Sequence, residues 1–443
     1  MAVIASSFTQ GNIANHMLKM ALTNMVSLSV FFSVDLINIY FISLLNKAYL
    51  VAAIGYASAI LFFTSSLTIA MVIAVTATVA KSIGQKQIQQ AKRIATTSFV
   101  ITFILSIFIT LIIFCYASEL LSLMGAKRAS LEAAETYLKL TIFSFPMIAI
   151  AMQVTAILRV LGKANIAMLC TLLAGIINAL LDPLFIFYFQ WEINGAAYAT
   201  ILARIVMLAI ASYYLLHRYQ FIASQSLLDS WANIKKIAKI ALPASLTQIT
   251  TPLSHFYITY EVAKFGAESV AAWTIISRLI PVVFVMLFAM PGAIGPIISQ
   301  NLGAKKLNRV KNTLNHSLNF IIKYVFVSAL ILSLLQENLV NLFNATSEAA
   351  ILIRFFCQYI AISFIFVAMN LVAMSFLNNI GRPKLATLLN LAKISLGTIP
   401  FVSIGAYYYG AQGILMGQAL GSVVFGLIAV VVCYFTLSRL KVN

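Results

Sequence analysis

Residues 178–200 read NALLDPLFIFYFQWEINGAAYAT, and this stretch decides the fold. It opens inside an apolar run, places a carboxylate at Asp182 directly before Pro183, stays apolar to Phe189, turns at Asn194 and Gly195, and enters a second apolar run. A charge at bilayer depth costs roughly 3 to 10 kcal/mol, so Asp182 is expected to face a water-filled cavity and to be there for function. Asn178 lies four residues earlier, which puts its amide on the same helix face one turn away. Pro183 removes a backbone donor and crowds the carbonyl of Ala179, so a kink is expected beside the acid.

The rest of the chain supports that setting. Of 443 residues, 62% are hydrophobic and 9% charged, a balance that excludes a water-soluble domain and fits an all-α polytopic membrane protein. Charged and Gly/Asn-rich breaks delimit twelve apolar segments, near 17–45, 49–80, 94–116, 134–160, 165–190, 195–217, 237–263, 268–299, 313–336, 350–379, 385–409 and 412–437. The first sixteen residues lack Lys and Arg and the first apolar run outlasts a signal-peptide core, so no cleaved presequence is expected. The net charge of +18 is spread in short clusters between apolar segments, which argues for orientation in a membrane and against a nucleic-acid partner. Cys115, Cys170, Cys357 and Cys433 all lie in apolar segments without metal spacing and read as packing thiols.

Basic residues set the topology. Connections after segments 2, 4, 6, 8 and 10, with the tail, hold Lys81, Lys86, Lys92, Arg93, Arg159, Lys163, Arg218, Lys235, Lys236, Lys239, Lys305, Lys306, Arg309, Lys311, Arg382, Lys384, Arg439 and Lys441. The opposite side holds Lys47, Lys127, Arg128, Lys264 and Arg354, so the first side and both termini are expected in the cytoplasm.

An internal repeat then divides the chain. KSIGQKQIQQAKR from Lys81 reads against QNLGAKKLNRVKN from Gln300, and RVLGKANIAML from Arg159 against NNIGRPKLATL from Asn378. Gly84 and Gly303 are 219 apart, as are Gly162 and Gly381, and NGAAYAT from Asn194 reads against YGAQGIL from Tyr409. Two six-helix bundles of the same orientation follow, the arrangement of transporters with parallel repeats. The expected division is 1–220 for the first bundle, 221–236 for a cytoplasmic interfacial linker carrying Trp231, Lys235 and Lys236, and 237–443 for the second bundle.

Twelve helices in two repeats, the basic Gly loops after segments 2 and 8, and above all N178xxxD182PLFIF followed by G195AAxAT200 resemble the multidrug and toxic compound extrusion (MATE) transporters, most closely the DinF-like bacterial branch. The resemblance spans essentially the whole chain. It implies two bundles that alternate between outward and inward openings, exporting cationic, amphipathic organic compounds in exchange for protons or sodium ions, in the bacterial inner membrane and as a monomer. It also implies that Asp182, Asn178 and Thr200 line a cavity in the first bundle and take part in cation coupling. Segment 1 departs from the pattern: the family's proline position is Thr23, and its aspartate position is Asn38. Asp35, one turn before Asn38 on the same face, is expected to serve instead.

Asp35 and Asp182 are the two acidic residues expected near mid-membrane. In one partly desolvated cavity each disfavours the other's charge, so one of them can exchange protons near neutral pH. Proton and substrate cation then compete for one negative site. Each pH unit supplies about 1.4 kcal/mol per proton, and each 100 mV about 2.3 kcal/mol per charge. Asp35, Asn178, Asp182 and Thr200 also offer hard oxygen ligands for Na+, and no cofactor or other metal is expected. By a constant offset of 219, Asp35 falls on Ser254, Asn178 on Gly397 and Asp182 on Phe401, so coupling is expected in the first half alone. His255 is a further titratable candidate, although a lone intramembrane histidine more often satisfies hydrogen bonds. Arg278 and Lys393 lie within segments 8 and 11 and would make a second-half cavity basic, open to anionic substrates. No HExxH, GxxxxGK or Ser/His/Asp spacing argues for an enzyme. The alternative within transport is a flippase for a lipid-linked saccharide or other amphipathic lipid.

Overall fold

The computed structural model describes residues 8–45, 47–224, 227–343, 345 and 347–440. Lys441 and the first seven residues lie outside them. Among the described residues every regular element is helical. We number the spans α1 (Ile13–Ser43), α2 (Ala48–Gly84), α3 (Ile88–Cys115), α4 (Ala129–Ile142 and Phe145–Val160), α5 (Ala164–Tyr188), α6 (Glu192–Arg218), α7 (Leu227–Ala263), α8 (Ala267–Val283 and Val285–Gly303), α9 (Leu307–Leu334), α10 (Glu348–Asn379), and α11 and α12, which divide the helix Pro383–Ser438 at a break. The break is at Tyr409 and Gly410, where Gly410 takes φ +59°, so α11 covers 383–408 and α12 covers 411–438. The two pieces of α4 meet at 47°. These spans match the twelve segments read from the sequence. The linker stretch is helical from Leu227 and continuous with α7.

The chain divides into two compact units. Among the described residues, unit 1 comprises those of Val26–Ala241, and unit 2 comprises Phe8–Met25 and those from Leu242 to Leu440. In unit 1, small residues bring helices close: a Cβ on Gly175 of α5 would sit 2.2 Å from Cγ1 of Val30 on α1, and one on Gly195 of α6 would sit 2.7 Å from the backbone of Phe185 on α5. Pro183 is accommodated without a break. The turn after it widens over Leu184–Tyr188, and the amide of Phe189 reaches back five residues to the carbonyl of Leu184 at 3.0 Å.

In unit 2 the segment before α1 is gripped by the basic loop after α8. Arg309 donates through Nη1 to the carbonyl of Gly11 and through Nη2 to those of Phe8 and Gln10, at 3.0 to 3.1 Å. Lys306 donates to the carbonyl of Thr9 at 2.9 Å, Asn301 to that of Phe8 at 3.0 Å, and Gln300 accepts from the amide of Phe8 at 3.2 Å. These partners satisfy a backbone stretch that has no helical bonds of its own.

The repeat is close but not of constant register. Along α1 and α7 the buried and exposed positions of 21–40 recur at 241–260, except at 29/249 and 30/250, so the offset there is 220. Asp35 therefore corresponds to His255, not Ser254, and Asn38 to Ile258. The connection after α1 is one residue longer than that after α7, which restores 219 at α2 and α8. Helices α5 and α11 also start 219 apart, but the wide turn Lys393–Thr398 takes up one more residue in α11. Beyond it the buried positions 178, 182 and 186 recur at 398, 402 and 406, so Asn178 matches Thr398 and Asp182 matches Val402. A Cβ on Gly413 would meet the carbonyl of Gly405 as one on Gly195 meets Phe185, which makes Gly413, not Gly410, the partner of Gly195.

Candidate functional site

Four of the residues singled out in the sequence meet inside unit 1. Asn38 of α1, Asn178 and Asp182 of α5, and Thr200 of α6 form one hydrogen-bonded cluster. Asp182 is fully buried, and Asn178 and Asn38 are 2% and 7% exposed, so the carboxylate depends on protein donors. With its nitrogen turned to the acid, the Asn38 amide donates to both oxygens of Asp182, Oδ1 at 3.2 Å, and reaches Oδ1 of Asn178 at 3.2 Å. Oδ2 of Asp182 lies 3.0 Å from the other amide, that of Asn178. With the Asn178 nitrogen turned to the acid, its oxygen accepts from the amide of Thr200 at 3.1 Å; with the oxygen turned to the acid, Nδ2 donates to the Thr200 hydroxyl at 3.4 Å instead. The helical spacing explains the convergence: positions 178 and 182 share a face of α5, and Gly175, one turn earlier, lets α1 approach.

The 3.0 Å contact between Asp182 and Asn178 can be made in two ways. An ionised Asp182 accepts from the amide nitrogen. A protonated Asp182 donates to the amide oxygen after the amide turns over. The amide thus adapts to either protonation state without moving a helix.

Asp35 is not part of this cluster. It is exposed and lies one turn before Asn38 on α1. The expectation that Asp35 replaces the aspartate at position 38 is not met by the geometry, because Asn38 itself holds that place. The three-residue step from Asn38 back to Asp35 turns the helix by about 300° but also moves it along the axis by nearly one turn, away from Asp182. His255, in unit 2, stacks obliquely on Trp273 with ring centroids 5.5 Å apart, and Trp273 donates to Thr259 at 3.0 Å.

One residue of consequence was not anticipated. Arg204 sits mid-span in α6, four residues after Thr200, and its Nη1 donates to the hydroxyl of Ser144 at 2.7 Å and to the carbonyl of Thr141 at 3.2 Å, at the bend of α4. An arginine within an apolar segment, one turn from a site residue, is the sequence signal that would have found it.

A model of the MatE family matches residues 24–184 and, a second time, residues 243–404, one match in each half of the chain. The chain belongs to the MatE family. Relatives align over nearly all of it. It is 27% identical over 430 residues to a FAD transporter of Shewanella oneidensis, covering 96% of this chain and 94% of that one. It is 20% identical over 438 residues to the multidrug export protein MepA of Staphylococcus aureus, covering 98% and 97%. Among solved structures it resembles the MATE transporter VcmN of Vibrio cholerae with a TM-score of 0.93 at 25% identity, over 97% of this chain and 98% of that one. The protein is an integral membrane protein of the MATE transporter fold, and family and fold point to a transporter rather than an enzyme.

Proposed function

We propose that this MATE protein is a secondary active antiporter that exports cationic, amphipathic organic compounds in exchange for protons, with Asp182 as the exchanging group and both termini cytoplasmic. The observation that carries the reading is a fully buried carboxylate held by the amides of Asn38 and Asn178, with no cationic side chain acting on it among the described residues. Such a group needs a guest cation, either H+ or the substrate, and mutual exclusion of the two is coupling. The MepA relatives, described as multidrug export proteins, support the substrate class. The oxygens of Asn38, Asn178, Asp182 and Thr200 would also suit Na+, which is the alternative coupling ion.

A second reading is export of an anionic flavin nucleotide. It is favoured by the FAD transporter relative and by Lys393, which lies within α11 of unit 2 without an acidic partner among the described residues. Efflux of ethidium and of FAD from proteoliposomes, under imposed proton and sodium gradients in turn, separates these readings. Ethidium efflux driven by a proton gradient and lost in Asp182→Asn is expected. Efflux of FAD alone, or ethidium efflux indifferent to Asp182, would overturn the first reading.

A further inference from the structure

Helix α3 carries a hydroxyl on every fourth residue. Ser98, Thr102, Ser106 and Thr110 share one face, are all buried, and succeed one another by about 6 Å along the axis. That face meets α4. The Gln153 side chain donates through Nε2 to the Thr102 hydroxyl, and the Thr110 hydroxyl donates to the carbonyl of Ile142 at 3.3 Å, which Pro146 cannot satisfy for want of an N–H. At the bend of α4, Ser144 accepts from Arg204, one turn of α6 from Thr200. At the other end, Asn233 of α7 donates to the Thr97 hydroxyl at 3.4 Å and accepts from Gln90, near the start of α3, at 2.8 Å. Every one of these residues belongs to unit 1.

Close approach of helices is the ordinary reason for small residues along a shared face. Unit 2 shows that packing does not need the hydroxyls. Helix α9 matches α3 at an offset of 219 at both ends, and the positions of Thr102, Ser106 and Thr110 hold Ile321, Val325 and Ala329, buried as deeply. Gln153 falls on Val372, also buried. A second observation points to a guest on this face. Gln153 is fully buried, and its Oε1 accepts no hydrogen bond among the described residues. A buried amide oxygen in that state calls for a donor the size of water.

We infer that this face of α3, together with Gln153, is a water-bridged track along which Asp182 releases its proton toward the basic, cytoplasmic end of unit 1. One water spans the distance between successive hydroxyls with two ordinary hydrogen bonds of about 2.8 Å. In the transfer Asp182 ends as the carboxylate. Each hydroxyl or water takes a proton on its oxygen while its own passes on, and the last water delivers a proton to solvent, so no group on the track changes its protonation state overall. Oε1 of Gln153 holds the water beside Thr102. The charge of Arg204 at the bend is offset by the carbonyl end of the half-helix Ala129–Ile142, to which it donates at Thr141. Tyr137 lies one turn before Thr141 on α4, and Arg93 near the start of α3. The inference rests on the proton-exchange reading and adds the route.

The test is a rapid jump of the purified full-length protein from about pH 5.5 to about pH 8.5, following the carbonyl stretch of protonated carboxyl groups in the infrared. The part of the signal missing in Asp182→Asn belongs to Asp182. Gln153→Leu, Ser106→Ala and the isosteric Thr102→Val are expected to keep the amplitude of that part and to slow its decay by about tenfold or more, while Thr102→Ser, which keeps the hydroxyl, decays as wild type does. Should Gln153→Leu not fold, Thr102→Val carries the test. A role in packing alone predicts the reverse order at position 102, with Val silent and Ser altered, and would overturn the inference. Wild-type decay in all four variants, the sign of release by another route, would overturn it too. No Asp182 signal in wild type would instead refute the exchange reading on which the track rests.

Discussion

In unit 1 the first, fifth and sixth helices bring Asn38, Asn178, Asp182 and Thr200 together, with Asp35 and Arg204 one turn beneath. In unit 2 the matching positions on α7, α11 and α12 hold Ile258, Thr398, Val402 and Gln418, with His255 and Ser422 in place of those two charged residues. The pattern of buried positions is shared, including the glycine of each sixth helix that admits the backbone of the fifth. The backbone plan is thus set by packing, which both halves need equally, while the polar groups of unit 1 are dispensable for packing. Groups costly to bury and unnecessary for the fold are the ones expected to work.

That contrast can be broken most forcefully at its centre. Asp182→Asn is expected to abolish the stimulation of ethidium efflux that one pH unit of gradient supplies, about tenfold at equilibrium, while Val402→Asn leaves it intact. A gradient-driven Asp182→Asn protein would show that the chemistry lies elsewhere. Asn38→Leu strips a donor from the buried acid. It should weaken substrate binding by about 1–3 kcal/mol in a fluorescence titration, against little change for Ile258→Leu. Where the units agree, their variants should agree too. Gly195→Leu and Gly413→Leu each push a side chain into the backbone of the preceding helix and should lower thermal stability in detergent by similar amounts, on the order of 1–3 kcal/mol. Arg309→Ala removes the guanidinium that holds Phe8, Gln10 and Gly11, and deuterium exchange at residues 8–11 should speed up by about tenfold with transport chemistry unaltered. The smallest effect is expected for His255→Gln, with proton-driven ethidium efflux within about twofold of wild type. A larger loss would give unit 2 a share in coupling.

Much of this was legible in the sequence. Hydropathy and the basic loops fix twelve spans, and the N178xxxD182P motif places two site residues on one helix face, because a period of 3.6 leaves no other arrangement. Asn38 is readable as the family's aspartate position, and Asp35, the carboxylate of that helix, lies one turn away from the cluster on the same helix. The one-residue shifts of the repeat were hidden: the wide turn at Lys393–Thr398 leaves composition unchanged and appears only as hydrogen bonds. Arg204 lies mid-span in an apolar segment, where spacing alone does not show what it meets. Its partners, Ser144 and Thr141, are some sixty residues away in sequence, at the bend of α4.

The central claim is that a proton on Asp182 and a cationic substrate exclude one another. Equilibrium binding of ethidium to the purified protein at about pH 6 and about pH 8 tests it without any gradient, because exclusion works in both directions. Wild-type affinity should fall by about tenfold or more on acidification, and that of Asp182→Asn should be the same at both values. An Asp182→Asn protein that still released ethidium on acidification would contradict the account.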